Sequence, residues 1–116
     1  MPSTRERGLA AESRACAFLE AQGLRLLQRN YRLRSGEIDL IMRDATHLVF
    51  IEVRYRSSNR YGGALQSVDF RKQQRIMRTA RHFLLCNPYD LPVRFDVIAL
   101  EGQAIRWIQH AFEAEH

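Results

Sequence analysis

Two short segments put acids into apolar runs: Gly36-Glu37-Ile38-Asp39-Leu40-Ile41 and, after one turn, Val49-Phe50-Ile51-Glu52-Val53-Arg54. Residues 38–42 and 48–55 are rich in β-branched and apolar side chains. Asp44-Ala45-Thr46-His47 between them reads as a tight turn, so the two runs predict an antiparallel hairpin. With Arg43 facing Leu48 across that turn, counting outward sets Ile41 opposite Phe50, Asp39 opposite Glu52 and Glu37 opposite Arg54. Side chains alternate along a strand, so this register gathers Ile38, Leu40, Met42, Val49, Ile51 and Val53 on one apolar face. Asp39 and Glu52 then meet on the other face with Cβ atoms roughly 5 Å apart. Opposed like charges destabilise a sheet, and a divalent cation, a shared proton or a neighbouring arginine must offset the repulsion. The hairpin therefore reads as half of a metal site. Arg54 projects from the same face as Glu52, where it can meet a phosphate drawn to the cation. A cross-strand ion pair with Glu37 accounts for Arg54 equally well on geometry alone.

The elements that must hold these residues are legible around them. Ser3-Thr4-Arg5-Glu6 has the form of a capping box, and a helix is predicted from there to about Gln22, before Gly23, with Ala11, Ala15, Phe18 and Leu19 in its core stripe. Glu12 falls close in angle to Gly8, Ala15, Cys16 and Leu19 and so points toward the protein body. A carboxylate facing inward needs a partner, and an ordinary salt bridge to a nearby arginine is the structural alternative. Leu24–Leu33 reads as a first strand, and Ser35-Gly36 turns the chain into the acidic hairpin. A second helix is predicted to begin near residues 67–69 and to end around Asn87-Pro88, with Ile76, Met77, Ala80, Phe83 and Leu84 facing the core. Val93–Leu100 and Ala104–Ile108 read as two further strands separated by Glu101-Gly102. The order α-β-β-β-α-β-β predicts an α/β mixed sheet flanked by helices.

Several positive and aromatic groups lie outside the hairpin. Arg71, Arg75 and Arg78 share one face of the second helix and can track a phosphate backbone, although a solvated helix surface explains them as well. Lys72, in the first turn at the edge of the apolar stripe, can point into the acidic site. The stretch Ser57–Gly63 carries Arg60, Tyr61 and two glycines, and reads either as a substrate loop or as a long solvated connection. Asp96 is expected to be an ion-pair partner and Trp107 a core or rim contact.

At 116 residues the chain is expected to form a single domain over 1–116, able to bury roughly two thirds of its unfolded surface. Eighteen Lys and Arg against thirteen acids give a net charge of +5, which favours an anionic partner such as nucleic acid. All the basic residues except Lys72 are arginines. Cys16 and Cys86 fall in predicted helices without C-x-x-C spacing, so reduced core thiols and a cytoplasmic location are expected. The four histidines show no ligand spacing and read as surface residues. No apolar run approaches membrane-spanning length and no adequate signal-peptide core follows the N-terminus, so neither export nor membrane insertion is expected.

Gly8-Leu9-Ala10-Ala11-Glu12, Gly36-Glu37-Ile38-Asp39-Leu40-Ile41, Phe50-Ile51-Glu52-Val53-Arg54, Tyr61-Gly62, Lys72 and Arg94-Phe95-Asp96-Val97 together resemble the pattern of a known group. It is the YraN-like family of small bacterial proteins, within the PD-(D/E)XK, or restriction-endonuclease-like, nuclease superfamily and related to Holliday-junction resolvases. The resemblance covers nearly the whole chain. It implies that Asp39, Glu52 and the main-chain carbonyl of Val53 are ligands of Mg²⁺ or Mn²⁺, that Glu12 is an additional acid near the metal, and that Arg54 and Lys72 support the chemistry. The implied reaction is phosphodiester hydrolysis in DNA, with branched or structured DNA as a target, and a homodimer or protein complex is a further implication. Position 54 departs from the family pattern, which prefers lysine. Arginine keeps the charge but cannot act as a base near neutral pH, so a nucleic-acid-binding protein without efficient catalysis is the alternative expectation.

Overall fold

The computed structural model describes residues 3–56 and 68–113, and the predicted loop carrying Arg60, Tyr61 and Gly62 lies outside them. The described elements are α1 (Thr4–Ala21), β1 (Arg25–Leu33), β2 (Gly36–Arg43), β3 (Leu48–Arg56), α2 (Phe70–Cys86), β4 (Val93–Glu101) and β5 (Ala104–Phe112). The five strands form one mixed sheet in sequential order, β1-β2-β3-β4-β5, in which β3 and β4 run parallel and the other neighbours antiparallel. Antiparallel neighbours can be joined by turns, whereas a parallel return needs a crossover, and α2 lies in that connection. The architecture is the α/β arrangement that the order of elements predicts.

Local chemistry explains where the helices begin and end. Ser3 caps α1, its Oγ accepting from the Glu6 N–H at 3.1 Å. The helix closes where Gly23 takes φ +99° and the N–H groups of Gly23 and Leu24 return to the carbonyls of Glu20 and Leu19. Asp69 caps α2 by accepting from the Lys72 N–H at 3.0 Å. Helix α1 packs Ala15, Cys16 and Leu19 on Leu40, Met42, Val49, Ile51, Ile98 and Leu100. Helix α2 packs Ile76, Met77, Ala80 and Phe83 on the alternate residues Ile41, Leu48, Phe50, Phe95 and Val97. The sheet is thus buried on both faces. Cys16 is buried as expected, but Cys86 is exposed: it closes α2 beyond Phe83, the last buried residue of that helix.

The hairpin has the predicted register, with Arg43 paired to Leu48, Ile41 to Phe50 and Leu40 to Ile51. Asp44 organises its turn, since Oδ1 accepts from the N–H groups of Thr46 at 2.8 Å and His47 at 2.7 Å. The expected single apolar face is corrected at one residue, Ile38, which packs with the α2 cluster while Leu40 packs with α1. Between Arg29↔Leu40 and Tyr31↔Ile38 the β1–β2 ladder omits Asn30 and Asp39, and Asn30 adopts φ +52°. Strand β1 changes face at the same place, for Arg29 reaches Ser13 on α1 at 2.9 Å while Tyr31 packs edge-on to Phe83 on α2. Strict alternation would put residues two apart on one side. The reversal turns Ile38 toward α2 and leaves Glu37 and Asp39 beside α1. Gly36, just before it, lies so close to α2 that an added Cβ would stand 2.7 Å from Thr79 Oγ1 and 3.3 Å from the Arg75 carbonyl oxygen.

Candidate metal centre

Beyond Leu40 and Ile51 the β2–β3 pairing stops. Asp39 spans the opening with its side chain, Oδ2 accepting from the Val53 N–H at 2.8 Å. Helix α1 brings Glu12 alongside, and carboxylate oxygens of Glu12, Glu37 and Asp39 lie within 4.8 Å of one another. These acids, with Glu52, Val53 and Arg54, line a cleft of ≈ 250 Å³ that Gly8, Ala11 and Tyr55 help to enclose. Glu52 is only 7% exposed, and Arg54 Nη2 stands 3.0 Å from its Oε2. The alternative pairing of Arg54 with Glu37 does not occur: Glu37 instead meets Arg32, Nε to Oε1, at 3.4 Å. Because the ladder ends at Leu40 and Ile51, Glu37 is never brought opposite Arg54.

Electrostatics in the cleft favour keeping a proton or taking a cation. Burial pushes Asp39 up to about 7, the Val53 N–H opposing it and the charges of Glu12 and Glu37 adding to it. Burial likewise pushes Glu52 up to about 8, with Asp39 reinforcing the shift and Arg54 opposing it. Both carboxylates are disfavoured as anions in the metal-free protein. Among the described residues, Glu12 Oε1, Glu52 Oε1 and Arg54 Nε are buried without a hydrogen-bond partner. Buried oxygens of this kind need a donor or a cation. Hard carboxylate oxygens in a small cleft suit Mg²⁺ or Mn²⁺, so the residues present fit such an ion.

The structure brings Glu12, Asp39, Glu52, Val53 and Arg54 together, and adds Glu37. Its i, i+2 spacing from Asp39 was the available signal, but that spacing alone did not distinguish a site acid from an ion pair with Arg54. Lys72 is half-buried on α2 and is not among the residues lining the cleft. Arg71, Arg75 and Arg78 are exposed on α2, and the contact of Gly36 with Arg75 brings that helix against the start of β2.

A second buried carboxylate serves a different end. Asp96, fully buried on β4, receives Arg94 Nε at 2.9 Å and Nη2 at 3.0 Å, Trp107 Nε1 at 2.8 Å and the His110 N–H at 3.2 Å. It is the ion-pair partner that the sequence led us to expect, and Trp107 is its half-buried donor.

Residues 11–100, which include every acid of the cleft, match the family described as "Uncharacterised protein family UPF0102". The chain belongs to UPF0102. It is 50% identical to a UPF0102 protein of Nitrosomonas europaea, over 97% of this chain and 98% of the relative. It is 53% identical to one of Paracidovorax citrulli, over 97% and 86%, and 51% identical to one of Cupriavidus taiwanensis, over 98% and 88%. UPF0102 is the YraN-like family that the motifs resemble, a member of the restriction-endonuclease-like nuclease superfamily.

Proposed function

We propose that this protein is a divalent-cation-dependent endonuclease that hydrolyses phosphodiester bonds in DNA, with branched or structured DNA as its preferred substrate. The observation that carries this reading is the cleft itself: oxygens of Glu12 and Glu52 buried without hydrogen-bond partners among the described residues, Asp39 between the strands, and a guanidinium alongside. Asp39, Glu52 and the Val53 carbonyl would hold the ion, with Glu12 close by. When bound, Mg²⁺ or Mn²⁺ supplies Lewis-acid polarisation of the phosphate and a lowered pKa for water. Arg54 restrains Glu52 through Oε2, leaving Oε1 toward the cleft, and offers positive charge where the pentavalent phosphate accumulates negative charge. Glu12 is the acid available to orient the attacking water, whose oxygen forms the new bond to phosphorus as the bridging oxygen leaves with a proton.

The exposed arginines of α2 and the net charge of +5 support sequence-independent binding to the phosphate backbone. None of the described helices is long and apolar enough to cross a membrane. We place the protein in the cytoplasm, where free thiols and nucleic acid coexist, and a second copy or a protein complex would extend its short grip on a duplex.

The test is cleavage of labelled linear, single-stranded, flap and four-way-junction DNA in Mg²⁺, Mn²⁺ or EDTA, with Asp39→Asn as control. Cuts that need both the cation and Asp39, falling at least a hundredfold in the variant, are expected. Cleavage by Asp39→Asn at the wild-type rate would remove the assigned role. One observation favours a second reading: the group at position 54 is a guanidinium engaged with Glu52, unable to exchange a proton near neutral pH. A nuclease-fold binding protein would bind these DNAs in EDTA and cut none of them.

A further inference from the structure

Beside the acidic cleft lies a larger, mostly apolar cavity of ≈ 540 Å³, a volume typical of small-ligand sites. The two share Gly8, Ala11 and Tyr55 in their walls, so whatever occupies one abuts whatever occupies the other. Fully buried Leu100 lies in the lining, Ala10 extends the small-residue wall of α1, and exposed Arg7 adds a positive charge. Tyr55 is paired in register with Leu100 and is 59% exposed, an aromatic ring directly after Arg54 in the chain.

Gly8 supplies an independent observation. Glycine weakens a helix relative to alanine and leaves its backbone open to close approach. Among the described residues, a Cβ built on Gly8 meets no atom within 4 Å. Gly8 lines both cavities.

We infer that this cavity accepts an unstacked nucleobase of the nucleic-acid strand whose phosphate lies in the acidic cleft. Tyr55 is the stacking platform, the Gly8–Ala11 face of α1 is the opposite wall, and Arg7 faces the flanking phosphate. The inference rests on the nuclease reading and deepens it. A base can enter only when it is free of its partner, so the preferred position is a single-stranded segment, a flap or a branch point, where unstacking is least costly. The chemistry fits a base better than an apolar peptide side chain, because the cavity opens onto a phosphate-sized cleft and carries cationic charge in its lining.

Single-stranded and flap oligodeoxynucleotides carrying 5-iododeoxyuridine at successive positions test this, with the intact protein in Ca²⁺ and in EDTA. Photo-crosslinks are mapped by mass spectrometry and affinity is read by fluorescence anisotropy. A crosslink to Tyr55 from one strand position is expected. Affinity for these DNAs should fall about tenfold in Tyr55→Ala and in Gly8→Leu, which fills the space, and should be retained in Tyr55→Phe, with a clearly smaller loss for blunt duplex in the first two. Thermal melting confirms that each variant is folded. Crosslinks that map only elsewhere, or equal losses for duplex and single strand, would overturn the assignment; if Asp39-dependent cleavage persists in that case, the nuclease reading stands without the base pocket. Wild-type protein that neither binds nor cuts any of these DNAs would overturn both.

Discussion

Asp96 and Glu52 occupy neighbouring strands of one sheet, and each is a buried carboxylate with an arginine two residues away. Their surroundings differ in the count of donors. Asp96 accepts four hydrogen bonds, two of them from the Arg94 guanidinium, and both of its oxygens are engaged. Glu52 has one ion pair, Arg54 to Oε2 at 3.0 Å, and among the described residues its Oε1 is buried without a hydrogen-bond partner. The acids near it repel where the groups around Asp96 attract. A buried charge that is fully coordinated by the protein belongs to the fold, and one left partly uncoordinated at a cleft has capacity for a ligand. A buried carboxylate with an arginine two residues away can therefore be a structural clamp in one strand and a candidate ligand site in the next.

The sharpest way to break this contrast is to neutralise each acid. Asp96→Asn leaves the Arg94 charge buried, with the Asp44 carboxylate 3.8 Å away as its remaining ion-pair partner among the described residues, and should lower stability in urea by about 3–5 kcal/mol. A loss no larger than that of a surface substitution would mean that the four bonds to Asp96 contribute little. The cation response comes next. MgCl₂ or MnCl₂ at about a hundred times its dissociation constant should stabilise the wild-type protein by about 2.7 kcal/mol, seen as a rise in Tm, with the response retained by Arg71→Ala and lost in Glu52→Gln. An equal rise in Glu52→Gln would place the ion elsewhere.

A smaller effect distinguishes the two centres by pH. The folded-state values of Asp39 and Glu52, about 7 and about 8, lie above their ordinary values of 3.8 and 4.5. Between those limits the folded protein binds more protons than the unfolded chain. Stability without cation is therefore fully present below about pH 4 as far as these two groups are concerned, and is lost as pH rises through 7 and 8. Stability should therefore be lower at pH 8.5 than at pH 5, and denaturant titrations in EDTA at the two values measure the fall. Glu52→Gln removes one of the two groups, so it should flatten the profile and gain about 1 kcal/mol at the higher pH. A steeper profile in the variant would contradict the origin assigned to the shift.

Much of this site was legible in the chain. Apolar alternation and the Asp44 turn fix the hairpin register; that register sets Asp39 opposite Glu52, and the observed ladder ends one pair earlier, at Leu40 and Ile51. Helical angles turned Glu12 toward the body of the protein, where it does lie. The pairing of Glu37 with Arg54, one of the two roles that the sequence leaves open for Arg54, requires the ladder to continue outward, and it does not. Ile38 was placed on the wrong face for a related reason: alternation is a local rule, and the reversal at Asn30 and Asp39 involves two paired strands.

Sequence by itself determined the order of elements, the caps that start the helices, the buried stripes, the register of the hairpin and the family. Those properties follow from side-chain period, backbone preference and turn chemistry within short stretches of chain. Only the tertiary structure decided which acids share a cleft, which arginine holds which carboxylate, and that one buried acid is satisfied while another is not. Such facts depend on where strands separate, how α1 seats its Glu12 against β2, and how many donors converge from distant segments on one oxygen. Coulomb and solvation energies respond to those distances and not to separation along the chain.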